Sequence, residues 1–412
     1  MKGARGPGAR ARDDLARRLS TAVGALPERP PGPAYVVDLD AFDANAADLA
    51  RRAGGTPVRI ASKSVRVPAL LARALALPPF HGVLAYSLAE ALFLHRSGVS
   101  DDLVLGYPVV DRTALAALLA DEAAASAITL MTDDPAQLDV VDEVRASLPG
   151  QPDTPVRVAI DVDAGLRRLG QHLGPKRSPL HDISDVVRYA EHVLARPGFR
   201  LVGVMTYEGQ VAGVPDAVPG QRAKSAVVRK MKAASVRQLD ERRHAVAAAL
   251  APLVDLELWN SGGTGSLETS AVPPVTELAA GSGLLVPHLF DHYRSFTAEP
   301  AAFLGVPVVR RPSASTVTVA GGGLIASGPV AADRAPVPWA PAGLSLTGME
   351  GAGEVQTPLT GPGTNGLRIG DLVWFRHAKA GEPAEHVRQV HLVQGDAVVD
   401  TVPTYRGLDQ AW

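Results

Sequence analysis

The sequence predicts a closed (β/α)8 barrel followed by a second, mostly β C-terminal domain. Eight short apolar runs alternate with segments of helical periodicity, and such alternation is typical of parallel β-α-β units. Together they occupy about 230 residues, the usual size of such a barrel. Beyond Asp291, short alternating runs broken by glycines and prolines favour a β-rich domain. An open doubly wound sheet remains the alternative, because strand order cannot be read from a sequence.

The predicted boundaries assign residues 1–33 to a basic tail and short helix, residues 34–295 to the barrel and residues 296–412 to the β-rich domain. A strand-like run at residues 34–39 and a helical segment at residues 40–52 precede the alternation. The predicted barrel strands span residues 58–62, 83–86, 103–106, 127–131, 156–161, 201–206, 256–260 and 275–279. The predicted helices between them span residues 68–77, 88–96, 111–121, 135–147, 183–195 and 221–250.

The composition is typical of a globular protein and does not indicate a nucleic-acid or membrane protein. The formal net charge of the 412 residues is −2, so no anionic polymer or membrane surface is indicated. No apolar run reaches the roughly 18 residues of a membrane span, and the basic start lacks the apolar core of a secretory signal. Because the chain has no cysteine, a metal site would need His, Asp, Glu or neutral oxygen ligands. We expect a cytoplasmic protein.

Lys63 is the first candidate catalytic residue, because it stands at the carboxyl end of the first predicted barrel strand. The carboxyl ends of barrel strands form the face where chemistry is done. A lysine that is partly desolvated there has a lowered pKa and can form a Schiff base. An ordinary surface lysine at a strand end is the alternative for this stretch alone.

The loops after the last two predicted strands are rich in glycine and hydroxyl residues, which suits phosphate binding. Asn260 to Ser266 follow strand seven and Ala280 to Gly283 follow strand eight, and barrels commonly hold phosphate in these two loops. A lysine and a phosphate-binding loop at the same barrel mouth point to pyridoxal 5′-phosphate. A sugar-phosphate barrel enzyme with a Schiff-base lysine is the competing interpretation.

Several motifs resemble those of one family. Residues 163–170 resemble the Asp-x-Gly-x-x-Arg-x-Gly motif after strand five of the alanine racemase fold, and Asn260-Ser261 resembles its phosphate-binding loop. Residues 203–210 and 276–282 resemble the D-threonine aldolase and D-serine dehydratase branch of these fold-type III pyridoxal-phosphate enzymes. The likeness covers roughly residues 34 to 400, both predicted domains.

The resemblance implies a role for each matching position. Lys63 would hold the cofactor as an aldimine and act as a base on one face, and Arg168 would hydrogen-bond the cofactor near its phenolic oxygen. Tyr207 would line the pocket near the ring. The residues implied in phosphate binding are Ser261, Gly262, Gly263, Thr264, Gly281 and Ser282.

The chain departs from the branch at its metal site. Relatives carry a His-x-Asp or His-x-Cys pair that binds a divalent metal, whereas this chain has His377-Ala378-Lys379, and a protonated lysine cannot ligate. Either the metal is lost and Lys379 supplies the positive charge, or His377 finds another partner. The candidate partners are Glu382, Glu385, His386 and His391.

The resemblance implies a lyase that acts on a β-hydroxy-D-amino acid, either by retro-aldol cleavage to glycine and an aldehyde or by dehydration and deamination. His377 is the candidate group at the substrate β-hydroxyl. The alternatives are an amino-acid racemase, for which Tyr405 is the only late tyrosine to serve as a second base, and a non-catalytic cofactor carrier. The resemblance also implies a homodimer.

Overall fold

The computed structural model describes residues 8–28, 30, 32–150, 154–168 and 170–412. The predicted basic start at residues 1–5 and Leu169 of the Asp-x-Gly-x-x-Arg-x-Gly motif lie outside the described residues. Strands and helices are numbered along the chain, beginning with α1 (Ala9–Gly24), β1 (Ala34–Asp38) and α2 (Leu39–Arg52). The chain divides into two compact units, a barrel unit of residues 49–63, 71–281 and 412 and a second unit formed by the rest.

The barrel unit contains a closed sheet of eight parallel strands, in the order β10-β11-β2-β3-β4-β5-β6-β9. These strands are β2 (Val58–Ala61), β3 (Phe80–Ala85), β4 (Leu103–Leu105), β5 (Ile128–Thr132), β6 (Val156–Asp161), β9 (Phe199–Thr206), β10 (Leu258–Ser261) and β11 (Glu277–Ala280). Each lies within three residues of a predicted strand. The predicted closed barrel is therefore confirmed, and the open doubly wound sheet is wrong.

The strands form where the sequence places β-branched and apolar residues without polar alternation. In β2 the four residues of Val58–Ala61 are all buried, as expected of parallel strands covered on both faces. Arg59 is the one charged residue of β2 and is also buried, at 2% exposure. Its guanidinium donates at 2.8 Å to each of the two carboxylate oxygens of Glu277 on the neighbouring β11. A buried guanidinium is tolerated there because its charge is neutralised by a bidentate partner.

Helices alternate with the barrel strands and begin at residues that suit helix starts. The Ser87 side chain accepts from the backbone N–H of Glu90 at 3.1 Å at the start of one helix, and Asp111 and Asp134 cap two others, as N-cap residues commonly do. The helices are α3 (Pro68–Leu75), α4 (Leu88–Arg96), α5 (Arg112–Leu119), α6 (Glu122–Ala127), α7 (Pro135–Ser147), α8 (Ile183–Leu194), α9 (Gly209–Ala212), α10 (Arg222–Leu250), α11 (Leu267–Ser270) and α12 (Ser282–Leu285).

A short hairpin interrupts the alternation after β6. It consists of the antiparallel strands β7 (Leu166–Arg168) and β8 (Gln171–Leu173), which the sequence analysis did not predict because strands of three residues carry no measurable periodicity. Gly170 lies between them at φ +75°, a conformation that glycine adopts at little cost.

The second unit is built on a mixed sheet of nine strands. The sheet runs in the order β15-β16-β13-β12-β1-β18-β19, and β17 pairs with both β12 and β14. Its later strands are β12 (Ala302–Ser313), β13 (Thr316–Ala320), β14 (Val337–Ala340), β15 (Ser345–Leu346), β16 (Gln356–Thr360), β17 (Leu372–Arg376), β18 (Gln389–Gln394) and β19 (Ala397–Pro403). The predicted β-rich second domain is confirmed.

One strand lies in a different sheet from the one its position in the sequence suggested. The sequence analysis grouped residues 34–48 with the barrel, but β1 pairs antiparallel with β12 and parallel with β18 in the second unit. The position of β1 is determined by residues distant in the sequence. All five residues of β1 are buried, so the backbone N–H and C=O groups on both edges of the strand need hydrogen-bond partners. Those partners come from the C-terminal part of the chain.

The core of the second unit is closed by the N-terminal helix. Leu19 and Val23 of α1 lie in one buried cluster with Phe303 and Trp374. The indole N–H of Trp374 donates to the hydroxyl of Ser20 at 3.0 Å, which satisfies the one polar atom of a large buried side chain. Among the described residues, no helix is both long and apolar enough to cross a membrane.

Candidate active site

The carboxyl ends of the barrel strands gather a lysine and an aromatic residue. Lys63 follows β2 in a short 3-10 turn, and Tyr107 follows β4. The Lys63 Nζ atom donates a hydrogen bond of 2.7 Å to the Tyr107 hydroxyl. Both side chains are partly buried. The strand-end lysine predicted from the sequence is thus brought against a second ionisable group.

Arg177 completes the charged group at this end of the barrel. Its guanidinium carbon lies 5.5 Å from the ring centroid of Tyr107 and 5.7 Å from that of Tyr207, within the range of cation–π contact. Burial raises the pKa of the Tyr107 phenol, but the positive charges and hydrogen bonds of Lys63 and Arg177 outweigh burial and leave that pKa below its usual value. Burial raises the pKa of Tyr207 to about 12. The two tyrosines therefore differ in acidity.

Two carboxyl groups stand at neighbouring strand ends. Asp161 is the last residue of β6, and Asp133 follows β5. Burial, followed by the like charge of Asp133, raises the pKa of Asp161 to about 7, although Arg177 opposes the shift. Burial also raises the pKa of Asp133. Asp161 is consequently a carboxyl group that can hold or release a proton near neutral pH.

The predicted Asp-x-Gly-x-x-Arg-x-Gly motif divides into an anchored half and an exposed half. The Asp163 carboxylate accepts from the backbone N–H of Gly165 at 2.9 Å and contacts His172 Nε2 at 3.0 Å. Arg168 is exposed in the hairpin strand β7. The arginine that the structure brings beside Tyr107 is Arg177, so the cofactor contact predicted for Arg168 stays a prediction.

The predicted phosphate-binding loop after β10 is fixed by hydrogen bonds to buried groups of the barrel unit. The Ser261 hydroxyl donates to the backbone oxygen of Thr206 at 2.6 Å, also lies 3.1 Å from a carboxylate oxygen of Glu208, and is 1% exposed. The backbone N–H of Gly263 donates to the Ser266 hydroxyl at 3.1 Å. Ser261 is predicted to bind phosphate, but its hydroxyl is bonded to Thr206 and Glu208 at the end of β9. Thr264 is buried in the same loop, and its phosphate contact stays a prediction.

Glycines are required in this region because other backbone approaches closely. A β-carbon on Gly281 would lie 2.3 Å from the carbonyl oxygen of Ala61, and one on Gly263 would lie 2.9 Å from the Ala212 β-carbon. Gly262 has a φ of +85°, in the left-handed region that glycine adopts without strain. The three glycines therefore let the loops after β10 and β11 pack tightly at the strand ends.

Two other predicted site residues belong to the second unit. Ser282 is the first residue of α12, and its predicted phosphate contact stays a prediction. His377 follows β17 and is 6% exposed. Burial, followed by the charge of Arg376 and the proximity of His288, lowers the pKa of His377 to about 3. Its Nε2 atom is buried without a hydrogen-bond partner among the described residues, so this imidazole is a neutral base with an available lone pair.

Two of the suggested co-ligands of His377 have other partners. Glu385 pairs with Arg66 at 2.6 Å and also contacts Arg406. His391 Nδ1 lies 2.9 Å from the Thr401 hydroxyl. Within the described part of the chain, no three His, Asp or Glu side chains form a group that could hold a metal ion. A metal ligand role for His377 with Glu382, Glu385, His386 or His391 therefore has no ligand set to support it.

Lys379, at the position of the missing second ligand, lies in a short polar chain. Its Nζ atom donates to the Ser327 hydroxyl at 2.9 Å, and that hydroxyl donates to a carboxylate oxygen of Glu382 at 2.5 Å. The Lys379 ammonium group is thus linked to the Glu382 carboxylate through the Ser327 hydroxyl.

Comparison with known families identifies the fold. The family model described as "Alanine racemase, N-terminal domain" matches residues 37–282. The chain belongs to this family. The match and the closed parallel barrel together confirm the predicted alanine racemase fold. Members of this family are pyridoxal-phosphate-dependent. A comparison with curated proteins finds no match.

Solved structures give the same fold across both units. D-threonine aldolase from Filomicrobium marinum superposes with a TM-score of 0.73 at 22% identity, covering 91% of this chain and 95% of that one. D-threo-3-hydroxyaspartate dehydratase from Delftia sp. HT23 gives 0.69 at 18% identity, covering 95% and 100%. Alanine racemase from Bacillus anthracis gives 0.59 at 14% identity, covering 91% and 98%. The solved structures that this chain resembles thus include both lyases and racemases.

Sequence reasoning missed Arg177 and underrated Glu208. Arg177 lies in a loop of mixed composition after the hairpin, and no spacing rule connects it to Tyr107. Glu208 stands beside Tyr207 in a motif that the sequence analysis noted, but its partners are residues 35 to 62 positions away.

Proposed function

We propose that this protein is a pyridoxal-phosphate-dependent lyase that acts on a β-hydroxy-D-amino acid. The observation that carries the proposal is the Lys63 amine, which stands 2.7 Å from Tyr107 at the carboxyl end of a barrel strand. The same barrel carries tightly packed glycine loops after β10 and β11. Membership of the family and the likeness to two lyases support the assignment.

The residues present suit the cofactor. Lys63 supplies an amine for covalent attachment, and the glycines at positions 262, 263 and 281 allow a close approach of backbone at the strand ends, as in the glycine-rich loops of anion sites. Tyr207 and Arg177 supply an aromatic face and a cation beside the lysine. Thr264 and Gly281 would hold the phosphate, and Ser261, Gly262 and Gly263, whose donors are engaged within the fold, would act by shaping the loop.

Bound at Lys63, the cofactor supplies an electron sink that stabilises negative charge on the substrate α-carbon. Lys63 would hold the cofactor through its Nζ atom, and its amine could act as the base toward the substrate α-proton. Tyr107 accepts a hydrogen bond from Nζ and, with its lowered pKa, can take up the proton that Lys63 gives away. Arg177 stabilises the ionised form of Tyr107.

Both variants of the reaction need a group at the substrate β-hydroxyl, and His377 stays the candidate that the family resemblance gives for that role. Its buried Nε2 atom has no partner among the described residues, and its lowered pKa keeps the imidazole neutral. In aldol cleavage, the Nε2 lone pair would take the hydroxyl proton as the carbon–carbon bond breaks. In dehydration, Lys63 would remove the α-proton and the β-hydroxyl would leave as hydroxide, so that one molecule of water is lost overall.

Product analysis tests the proposal. Purified, cofactor-loaded protein is incubated with D-threonine, with L-threonine as the control, in the presence and absence of a chelator. Glycine and acetaldehyde identify an aldolase, whereas 2-oxobutanoate and ammonia identify a dehydratase. Loss of activity with chelator would show that His377 binds a metal. Turnover of neither enantiomer would contradict the proposal.

The two alternatives have less support. A racemase needs a second base, and Tyr405, the tyrosine considered for that role, is 1% exposed with its backbone N–H bonded to the Arg66 carbonyl at 3.1 Å. A non-catalytic carrier would not need the perturbed acid–base groups at Tyr107 and Asp161. Incubation of D-alanine in deuterated water, followed by measurement of α-deuterium, distinguishes racemisation from lyase activity.

A further inference from the structure

A buried carboxylate lies directly behind the predicted phosphate loop. Glu208, next to Tyr207 after β9, is 1% exposed. Its Oε1 atom accepts from the hydroxyls of Ser266 and Ser270, each at 2.5 Å. Its Oε2 atom accepts from the Gly262 backbone N–H at 3.4 Å and lies 3.1 Å from the Ser261 hydroxyl, which donates to the Thr206 backbone oxygen at 2.6 Å. All four groups belong to the segment 261–270, which begins at the last residue of β10.

The charge of this carboxylate is balanced from the helix side. Arg243 of α10 is 2% exposed and its Nη2 atom lies 3.0 Å from Glu208 Oε2. The same Nη2 atom also contacts the Ser261 hydroxyl, and Nε donates to the Thr206 hydroxyl at 3.1 Å. Two charges removed from water are tolerated because they pair with each other and each makes further hydrogen bonds.

The network decides which atoms of the loop can face a ligand. The hydroxyls of Ser266 and Ser270 donate to Glu208 and that of Ser261 donates to the Thr206 backbone oxygen, so all three are engaged within the fold. The backbone of Gly262 is fixed by the same carboxylate, and Gly263 is fixed through Ser266. One side chain thereby sets the path of the loop whose backbone would meet a phosphate.

We propose that Glu208 is a positioning residue that holds the segment 261–266 in the conformation needed to bind the phosphate group of the cofactor. This inference rests on the proposed function, because it requires pyridoxal phosphate as the ligand. Glu208 does not touch the phosphate. It acts by accepting hydrogen bonds from the loop, and a buried network that is fully satisfied can fix a single loop conformation.

The test compares two ligands that differ only in the phosphate. Dissociation constants for pyridoxal 5′-phosphate and for pyridoxal are measured by absorbance titration of the wild type, Glu208→Gln and Glu257→Gln. The control residue Glu257 precedes the other end of β10 and pairs with Arg157 at 2.7 Å and Arg200 at 2.9 Å. Glu208→Gln keeps the side-chain volume but replaces one acceptor oxygen by a donor that faces Arg243.

We expect Glu208→Gln to weaken pyridoxal 5′-phosphate binding by about 10- to 100-fold, the usual effect of removing a supporting residue, and to leave pyridoxal binding unchanged. The preference for the phosphorylated form then falls in this variant and not in Glu257→Gln. An unchanged preference, or an equal loss for both ligands, would overturn the inference. A wild type that binds neither ligand would overturn the proposed function itself, and the inference with it.

A milder variant covers the case in which Glu208→Gln does not fold. Ser266→Ala removes one donor to Glu208 and the acceptor of the Gly263 N–H, and it leaves the Glu208–Arg243 pair intact. We expect a loss of phosphate preference of about fivefold, near the 1 kcal/mol worth of one hydrogen bond. Full retention of the preference in Ser266→Ala would contradict the inference.

Discussion

The Nζ atom of Lys63 and the hydroxyl oxygen of Tyr107 lie 2.7 Å apart at the carboxyl ends of β2 and β4. This contact joins a potential nucleophile to a phenol whose pKa is lowered, despite burial, by Lys63 and Arg177. A hydrogen-bonded amine and phenol can exchange a proton directly. The pair therefore forms the acid–base centre of the proposed mechanism.

Tyr107→Phe should slow turnover without abolishing cofactor attachment. Removal of the hydroxyl deprives Lys63 of its proton acceptor, and we expect kcat to fall by about 100-fold while KM changes little. Steady-state kinetics across pH with the lyase substrate measure both constants. Tyr189→Phe serves as the control, because its hydroxyl contacts the Asp134 backbone oxygen at 3.3 Å. Wild-type kcat in Tyr107→Phe would show that Lys63 does not use this phenol.

Arg177→Gln should raise the pKa of Tyr107. Loss of the cation above the ring disfavours the ionised phenol, so ionisation should require a higher pH. The shift is measured by ultraviolet titration of the tyrosines, with Tyr107→Phe spectra subtracted to isolate one residue. Lys176→Gln, an exposed neighbour, is the matched charge control. A Tyr107 titration identical in Arg177→Gln and in the wild type would refute the assignment.

Asp161 should make the protein less stable as the pH rises. The folded state binds the Asp161 proton with a pKa of about 7, against 3.8 for an ordinary aspartate. Its contribution to stability is therefore full below pH 3.8 and is lost as the pH rises through about 7. Asp161→Asn should match the wild type near pH 4 and exceed its unfolding free energy by on the order of 3 kcal/mol at pH 8.

Urea unfolding at pH 4 and pH 8 measures this difference. Asp240→Asn, which removes a carboxylate exposed on α10, should not reproduce the gain at pH 8. If Asp161→Asn is equally or less stable than the wild type at pH 8, the carboxyl group is not held protonated by its surroundings.

Arg59→Met should destabilise the barrel strongly. The substitution leaves Glu277 buried with neither of its two bonds to the guanidinium, and an unpaired buried charge costs about 3–5 kcal/mol. Arg59→Met combined with Glu277→Met removes both charges and should recover most of the loss. Urea midpoints at neutral pH measure both variants. If Arg59→Met alone has the same urea midpoint as the wild type, the Arg59–Glu277 pair does not contribute to the stability of the barrel.

Much of the barrel could be predicted because its signal is local. Each strand is a short buried run of β-branched or apolar residues, so eight runs and their helices are visible in the sequence. The position of Lys63 follows from the same pattern, since the residue after a barrel strand lies at the functional end.

The remainder depends on contacts between distant residues. β1 precedes the barrel in sequence, yet its partners lie in β12 and β18, and no local pattern carries that information. The roles of Arg177 and Glu208 likewise depend on tertiary contacts. Ser261 illustrates the limit at the site, because a hydroxyl in a glycine-rich loop suggests a phosphate ligand whereas the fold directs it inward to Thr206 and Glu208.

Covalent mapping of the cofactor tests the central claim most directly. The protein is loaded with pyridoxal 5′-phosphate, reduced with borohydride, digested and analysed by mass spectrometry, alongside Lys63→Ala and the control Lys230→Ala, an exposed lysine of α10. We predict one modified peptide, containing Lys63, in the wild type and in Lys230→Ala, and none in Lys63→Ala. Modification of a different lysine, or a labelled Lys63→Ala protein with visible absorbance equal to that of the wild type, would contradict the account.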